Sequence, residues 1–259
     1  MKREKGMLYV CLGRCEVLDD IYIAGNLQVD GIACSSNAHA EANRLQEIFE
    51  KNVIQIKNDD QLLVSFLNTR SLRKHYDDIR KEPLFMSADL FSLCETWLNG
   101  SETVEFEGFQ GTFANGGRGK GIAAFVKSIP SREPVIINEE RFSSIIIQTQ
   151  QNITFMFMYI SKNANQDQIL NVMSKFAFDN MPTAIIGDFN WDYKQSFKIK
   201  TVLEENGFNQ VVTEPTHELG HTLDHVYLNR FFPRERMEVK CSPAHFSDHD
   251  IISLLFSLE

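Results

Sequence analysis

One local arrangement recurs five times along the chain: an apolar segment is followed directly by acids, amides or a histidine. The residues in these positions are Asn68, Glu95, Asp188 with Asn190, Asp224, and Asp248 with His249. Carboxylate and amide oxygens are the ligands that Mg²⁺ and Mn²⁺ prefer, and a histidine beside them can transfer a proton or contact a phosphate. If one fold brings these five segment ends together, they can hold a metal ion and orient a water molecule.

Residues 183–190 show the arrangement most clearly. Residues 183–186 are apolar or β-prone and predict a short buried strand, and Gly187 allows a sharp turn after it. Asp188 and Asn190 are two residues apart and therefore point to the same side of an extended chain. The pair also suits a loop in which Asp and Asn only satisfy backbone groups. The motif alone leaves both interpretations open, and the other four segments decide between them.

Hydrophobic periodicity predicts the elements that position these residues. Many short strands are expected, with helices over residues 72–81, 169–176 and 197–203. Many strands with few helices between them predict an α+β fold, a four-layer α/β/β/α sandwich of two mainly antiparallel sheets flanked by helices. The glycine-rich stretch 115–121 lacks both nucleotide-binding fingerprints and joins two apparent strands, so it predicts a hairpin.

The composition is that of a soluble globular protein with one fairly large domain, or with one domain plus an appendage. The chain has 259 residues, of which 43% are hydrophobic and 24% are charged. No apolar run approaches the roughly 18 residues that a membrane span needs. No apolar signal region follows the charged first residues. We therefore expect neither a membrane segment nor secretion.

Cysteine use and net charge bear on the compartment and the partners. Five cysteines at irregular spacing favour reduced thiols in an intracellular compartment, with the nucleus as the expected location. A zinc site is disfavoured because its spacing would match no common zinc module. Its ligands would be Cys11, Cys15, Cys34 and His39. The net charge of −9 neither indicates nor excludes DNA as a partner, because basic residues can still cluster locally.

Five short motifs occur in a fixed order, and together they are far more specific than any one of them. They are Asn68-Thr69-Arg70-Ser71-Leu72, Glu95-Thr96-Trp97-Leu98, Gly187-Asp188-Phe189-Asn190, Leu223-Asp224-His225-Val226 and Ser247-Asp248-His249. Over residues 61–259 the chain resembles the endonuclease/exonuclease/phosphatase superfamily, which includes deoxyribonuclease I and apurinic/apyrimidinic endonucleases. The amino-acid sequences of the first two motifs are closer to those of the endonucleases of retrotransposons.

The resemblance implies a metal site and a residue that activates water. Asn68, Glu95 and Asp248 would belong to the metal site, with Glu95 as the direct ligand and Mg²⁺ or Mn²⁺ as the ion. Asp188 would position or deprotonate the attacking water. Asn190 would hold that water or the phosphate.

The resemblance also implies contacts to the scissile phosphate. His249 would stabilise the charge that develops on it, and Asp224 would orient His249 by a hydrogen bond. Tyr159 matches a family tyrosine that touches the phosphate, although a half-buried strand tyrosine is an equally simple interpretation. We expect Asp188→Asn and His249→Ala each to abolish cleavage while leaving the fold intact.

The implied reaction is in-line hydrolysis of a phosphodiester in DNA, which leaves a 5′-phosphate and a 3′-hydroxyl. Basic residues near strand ends or in loops are candidate contacts to the DNA backbone, or simply solvated charges. They are Arg70, Arg73, Lys74, Arg118, Lys120 and Lys194. No membrane partner is expected, and the residues do not specify an oligomeric state.

Residues 1–55 carry a second resemblance. Residues 8–15 and 18–23 look like the last motif and tail of petite-integration-frequency-type DNA helicases, in which the arginine matching Arg14 reaches the ATP phosphates. The chain has no phosphate-binding loop of the Gly-x-x-x-x-Gly-Lys-Ser/Thr type, so we expect a remnant without motor activity. An ordinary strand–helix lead-in is the alternative. The fusion looks like that of Helentron-class rolling-circle transposons, which implies a mobile-element origin with helicase or replication-initiator regions upstream.

Two departures from the family pattern and two alternative functions accompany this interpretation. Arg70 stands where apurinic endonucleases have an acid, which disfavours a two-metal site, and residues 160–163 lack the family's proline turn.

A phosphatase or phosphodiesterase acting on inositol phosphates or lipids is the first alternative. Inositol phosphatases have Trp before Gly-Asp, whereas this chain has Ile186. The second alternative is a catalytically silent, transposon-derived fragment that binds nucleic acid.

The remaining histidines are expected to lie outside the chemistry. His225 points away from the motif acids if its segment is a strand, so we expect its side chain to pack against other residues and not to take part in the chemistry. His217, His221 and His245 lie in turn-like sequence and are expected to be solvated. His75 is expected on a polar helix face.

Overall fold

The computed structural model describes residues 61–127, 129–234 and 237–257. The predicted helicase remnant in residues 1–55 lies outside these ranges. Within them, twelve strands form two six-stranded sheets, accompanied by four helices. No helix in this part of the chain is both long enough and apolar enough to cross a membrane.

The two sheets interleave the strands of the chain. In chain order the strands are β1 (Gln61–Asn68), β2 (Leu90–Cys94), β3 (Gln110–Ala114), β4 (Ile122–Val126), β5 (Val135–Asn138), β6 (Phe142–Gln148), β7 (Thr154–Ile160), β8 (Thr183–Asp188), β9 (Phe208–Gln210), β10 (Asp224–Asn229), β11 (Glu238–Ser242) and β12 (Ile251–Ser257). The helices are α1 (Tyr76–Ile79), α2 (Pro83–Met86), α3 (Gln166–Phe176) and α4 (Lys198–Glu205). One sheet has the order β11-β12-β1-β2-β4-β3 and the other β5-β6-β7-β8-β10-β9.

Three hydrophobic clusters separate four layers. The central cluster joins the facing surfaces of the sheets and includes Phe66 of β1 and Phe157 of β7. A second cluster packs α3 and α4 on the outer face of the β5–β10 sheet, and a third packs α1 and α2 on the other sheet. Alternate β7 residues serve different layers: Phe155 and Phe157 point inward, whereas Met156 and Met158 point outward. The predicted four-layer α/β/β/α sandwich is confirmed.

Strand pairing brings the polar strand ends to one edge of the sandwich. β1 and β2 are parallel, and Asn68 pairs with Cys94 at their shared end. β7 and β8 are also parallel, and Tyr159 pairs with Asp188. β10 is antiparallel to β8, but its first residue, Asp224, pairs with Asp188 at the end of β8. The other strand pairs are antiparallel, including the predicted hairpin β3–β4.

The predicted helix over residues 72–81 is shorter in the structure. Arg70 has a left-handed φ of 46°, and the amide of Leu72 donates to the carbonyl oxygen of Thr96. This segment is tied to the loop after β2, so the helical conformation begins only at α1. Pro83 then occupies the first turn of a separate helix, α2.

Gly187 is required because two backbones approach closely. A Cβ at this position would lie 2.2 Å from the carbonyl oxygen of Met158 on β7. We expect Gly187→Ala to lower the free energy of unfolding by about 3 kcal/mol, at the upper end of typical overpacking costs. Gly207→Ala is the control, because its Cβ would meet no atom within 4 Å and carries only the cost of a left-handed φ. If urea unfolding shows the same loss of unfolding free energy for Gly187→Ala and Gly207→Ala, the contact with Met158 does not destabilise the fold.

Two histidines outside the site are buried. His225 stacks on Phe189 with ring centroids 4.7 Å apart, and its Nε2 lies 3.0 Å from the carbonyl oxygen of Thr222. This confirms the predicted packing role. Burial lowers the pKa of His225 to about 4. The expectation for His75 was wrong: it is only 7% exposed, and its ring packs against Phe246.

We predict that His225→Phe is less stable than wild type near neutral pH and more stable in acid. The folded pKa is depressed, so the neutral ring favours folding above about pH 6.5 and this contribution is lost as the pH falls toward 4. Phenylalanine keeps the stack but removes one of the two hydrogen bonds that the Thr222 carbonyl accepts, at a cost of about 1 kcal/mol. Urea unfolding in EDTA between pH 4.5 and 7.5 should give crossing stability curves, and parallel curves would contradict the prediction.

Candidate active site

Asn68, at the end of β1, joins two acids from the two sheets. Its Nδ2 donates to Asp188 Oδ2 at 2.9 Å and to Glu95 Oε1 at 3.2 Å. Its Oδ1 accepts from the amide of Arg70 at 3.2 Å. Asn68 is 1% exposed, so its orientation is fixed by these contacts. The first three motif residues therefore meet at one point between the sheets.

Asp188 and Asn190 form a short-range network at the end of β8. The amide of Asn190 donates to Asp188 Oδ1 at 2.8 Å, and its Nδ2 lies 3.2 Å from Asp188 Oδ2. The same Nδ2 donates to the carbonyl oxygen of Ile160 at 2.9 Å, which links the turn to β7. Asn190 has a left-handed φ of 55°, a conformation that Asn tolerates better than most residues. Asp188 is thus held in one orientation.

His249 and Asp224 form a buried imidazole–carboxylate pair. His249 Nδ1 lies 2.7 Å from Asp224 Oδ2, and Thr216 Oγ1 accepts from the Asp224 amide. Burial lowers the pKa of His249, but the charge and hydrogen bond of Asp224 outweigh it and raise that pKa to about 10. Burial and the charge of Asp224 raise the pKa of Asp188 to about 7. Ligand atoms of Asp188, Asp224 and His249 lie within 4.8 Å of one another.

Glu95 is presented by a strained turn after β2. Glu95 and Trp97 both have left-handed φ angles, of 47° and 58°. The indole Nε1 of Trp97 donates to Glu95 Oε2 at 3.2 Å. The guanidinium of Arg118, in the glycine-rich turn, lies 5.7 Å from the Trp97 ring centroid. Such strain persists only where the surroundings impose it, and it is common at functional sites.

Asp248 completes the polar edge from the loop before β12. Its Oδ2 forms an ion pair with Arg70 and lies 3.5 Å from His217 Nε2. Its Oδ1 is buried and has no hydrogen-bond partner among the residues that the structure describes. A buried carboxylate oxygen without a partner calls for a cation or a water molecule.

The donor atoms fit a hard divalent ion such as Mg²⁺ or Mn²⁺. Glu95 supplies a carboxylate, Asn68 supplies an amide oxygen, and Asp248 Oδ1 is the oxygen that still lacks a partner. The Arg70 guanidinium already neutralises the other oxygen of Asp248.

A cleft of about 510 Å³ opens over these residues. Its lining mixes acids with cationic and neutral donors, as a site for a metal ion and an anionic substrate requires. The polar lining residues that belong to the motifs are Arg70, Glu95, Asn190, Asp248 and His249. Lys162, Asp192, Gln195, His217, Glu218 and His221 complete its polar wall.

Tyr159 lies next to the site but does not line the cleft. Its hydroxyl donates to the carbonyl oxygen of Gly119 at 2.8 Å, which ties β7 to the glycine-rich turn. Burial and the charges of Glu95 and Asp188 raise the pKa of Tyr159. In this structure its contact is with protein backbone.

The six basic candidates differ in where they lie. Arg70 lines the cleft, and Arg118 stacks beside Glu95 on Trp97. Arg73 pairs with Glu102 at 3.0 Å, and Lys120 Nζ donates to the carbonyl oxygen of Glu140. Lys74 and Lys194 are exposed and do not line the cleft.

Sequence reasoning missed three cleft residues, His217, His221 and Lys162. His217 was expected to be solvated, but its side chain is 13% exposed and its ring meets that of His249 edge-on, with centroids 4.8 Å apart. His221 Nδ1 lies 2.8 Å from Asp192 Oδ2. These contacts come from irregular loops, where no periodic signal indicates which side chains turn inward.

A comparison with protein families supplies the decisive observation. Residues 63–249 match the model described as the endonuclease/exonuclease/phosphatase family, and this range includes all five motifs. The chain belongs to the endonuclease/exonuclease/phosphatase family. A search of curated proteins found no match.

Solved structures of this family share the fold. An AP endonuclease from Archaeoglobus fulgidus is 15% identical with a TM-score of 0.59, covering 75% of this chain and 99% of its own. A 3′ phosphatase, NExo, from Neisseria bound to a product DNA hairpin is 12% identical with a TM-score of 0.57, covering 74% and 98%. The endonuclease domain of TRAS1, a telomere-specific non-LTR retrotransposon, is 14% identical with a TM-score of 0.57, covering 76% and 99%. At these identities the likeness concerns the fold alone.

The family and the site agree on the class of chemistry. The endonuclease/exonuclease/phosphatase family hydrolyses phosphoesters, and the site combines oxygen ligands for a divalent ion with a buried acid and imidazole. Together they support a metal-dependent phosphodiesterase.

Proposed function

We propose that this protein is a divalent-metal-dependent DNA endonuclease, derived from a mobile element, that nicks DNA and leaves a 5′-phosphate and a 3′-hydroxyl. The observation that carries the proposal is the cluster of Asp188, Asp224 and His249, whose ligand atoms lie within 4.8 Å of one another beside an open cleft. A carboxylate and an imidazole this close can act on the same phosphate. A nuclear location is part of the proposal because DNA is the substrate.

Asp188 accepts the proton of the attacking water in this mechanism. Its carboxylate is oriented by Asn68 and Asn190, so a lone pair remains directed at a water held near the phosphate. Asn190 limits the positions open to that water because its side-chain amide is fixed by a hydrogen bond to the carbonyl oxygen of Ile160 on β7.

His249 stabilises the charge that develops on the phosphate. Asp224 holds Nδ1, so the protonated ring can donate from Nε2 toward the phosphoryl oxygens. Glu95, Asn68 and Asp248 would hold the divalent ion, which when bound supplies Lewis-acid stabilisation of the phosphoryl and leaving oxygens.

Two comparisons support the choice of DNA and of a mobile-element origin. The 3′ phosphatase NExo is bound to a product DNA hairpin in its structure, and TRAS1 is a retrotransposon endonuclease. The sequence of the first two motifs is closer to the endonucleases of retrotransposons, which agrees with the second of these.

Supercoiled plasmid provides the test. Purified protein with Mg²⁺ should convert it to the nicked form, EDTA should prevent this, and DNA ligase should reseal the nicks because they carry a 5′-phosphate beside a 3′-hydroxyl. Intact plasmid together with phosphate release from inositol phosphates would overturn the proposal in favour of a phosphatase.

A further inference from the structure

The cleft holds a second carboxylate–imidazole pair, which the mechanism above does not use. His221 Nδ1 lies 2.8 Å from Asp192 Oδ2, and both residues line the same cleft as Asn190 and His249. The side chain of Asp192 is 10% exposed, whereas that of His221 is 50% exposed. The acid therefore lies beneath an imidazole that remains open to the cleft.

The loop that carries His221 does not depend on this side-chain pair. The amides of Thr216 and His217 both donate to the carbonyl oxygen of His221, at 3.0 and 3.1 Å. The amide of Tyr193 donates to the carbonyl oxygen of Thr222 at 2.9 Å and ties the loop to the segment after β8. Because backbone bonds already close the loop, the remaining effect of the side-chain contact is to orient the His221 ring.

Asp192 is itself held firmly. Its Oδ1 accepts from the amide of Lys194 at 3.1 Å. Burial raises the pKa of Asp192, but hydrogen bonds from His221 and from backbone amides outweigh it and lower that pKa. The carboxylate is therefore ionised, and an imidazolium at His221 can donate from Nδ1 to Asp192 and from Nε2 to an anion in the cleft.

A lysine faces the same space. Lys162 is exposed, lines the cleft, and has no ion-pair partner in the described part of the chain. The cleft volume of about 510 Å³ lies within the range of sites that take a whole small molecule, so it holds more than one phosphate group.

We propose that His221 and Lys162 form a binding subsite for a phosphate that flanks the scissile one, with Asp192 as the residue that positions His221. The inference rests on the proposed phosphodiesterase function and favours a polynucleotide over a substrate with a single phosphodiester, which has no second phosphate to offer. A contact of this kind fixes the register of the backbone over Asp188 and His249 and carries no sequence information.

The test compares two substrates of the full-length protein with Mg²⁺. One is plasmid DNA, and the other is bis(p-nitrophenyl) phosphate, which contains one phosphodiester and no flanking phosphate. His221→Ala should lower kcat/KM for DNA about tenfold, and this loss should exceed the loss on the small diester at least fivefold. The slope of log kcat/KM for DNA against log salt should become shallower by about 0.9, the value for one duplex phosphate contact. Asp192→Asn should give a smaller loss of the same selectivity.

His245→Ala is the matched control, because His245 is exposed and does not line the cleft. Equal losses on both substrates, or an unchanged salt slope, would overturn the subsite. If thermal melting shows that His221→Ala is unfolded, His221→Gln provides the same comparison. If wild type hydrolyses the small diester but never nicks DNA, the endonuclease proposal fails and the subsite fails with it. If wild type nicks DNA and His221→Ala nicks equally well, only the subsite fails.

Discussion

Asp188→Asn should reduce Mg²⁺-dependent plasmid nicking by about 10²- to 10⁴-fold, the contribution typical of a positioned general base. The amide cannot accept a proton from water at neutral pH. It also disturbs the network, since Asp188 Oδ2 accepts from both Asn68 Nδ2 and Asn190 Nδ2. The side-chain NH₂ of an asparagine in that position would face the NH₂ groups of Asn68 and Asn190, so hydrogen-bond donors would oppose one another. Initial nicking rates with saturating Mg²⁺ measure the effect.

The fold should tolerate this substitution. Removing the charge of Asp188 relieves its repulsion with Asp224, whereas the lost hydrogen bonds oppose that gain, so we expect the free energy of unfolding to change by less than about 2 kcal/mol. Asp167→Asn is the matched control, because Asp167 is an exposed acid on α3 that pairs with Lys198. Full nicking by Asp188→Asn, with Asp167→Asn unchanged, would remove Asp188 from the mechanism.

The sequence was sufficient for the parts of the site that lie at strand ends. Asn68 and Asp188 follow apolar segments with a clear strand pattern, and parallel pairing in each sheet brings such ends to one edge. Their meeting could therefore be predicted from periodicity and motif order. The expected turn at Gly187 was wrong, because Gly187 lies within β8 and has no left-handed φ; the glycine is required by the close approach of Met158.

The loops were predicted less well, for a physical reason. A residue in an irregular loop has no period that fixes which way its side chain points, so His217 and His221 could not be distinguished from solvated turn histidines. The left-handed φ of Trp97 turns its indole onto Glu95, and nothing in the local sequence predicts that conformation. Tyr159 was placed correctly on its strand, but its hydrogen bond to Gly119 depends on a hairpin 40 residues away.

His249→Ala tests the most tightly coupled part of the site, and here the structure changes an expectation. The sequence alone suggested that this substitution leaves the fold intact. In the structure, His249 is the cation between two buried acids, Asp224 and Asp188, which are 0% and 1% exposed. Its removal leaves both carboxylates without the neighbouring cation, although Asp188 keeps its hydrogen bonds from Asn68 and Asn190. We therefore expect a loss of about 3–5 kcal/mol in the free energy of unfolding, measured in urea with EDTA present.

Nicking should fall by about 10²- to 10³-fold in the same variant, the usual contribution of one donor to a developing oxyanion. His221→Ala is the control for stability, because it also removes a histidine from a carboxylate but from a half-exposed pair, which we expect to cost less than about 1 kcal/mol.

A double variant separates charge from chemistry. Asp224→Asn combined with His249→Ala removes both partners, so it should regain much of the stability that His249→Ala loses, since no orphaned carboxylate remains at position 224. Its nicking activity should stay as low as that of His249→Ala, because no imidazole is restored. If the double variant is no more stable than the single one, the cost of His249→Ala comes from lost packing and not from the buried charge of Asp224. If it recovers nicking, His249 does not act on the phosphate.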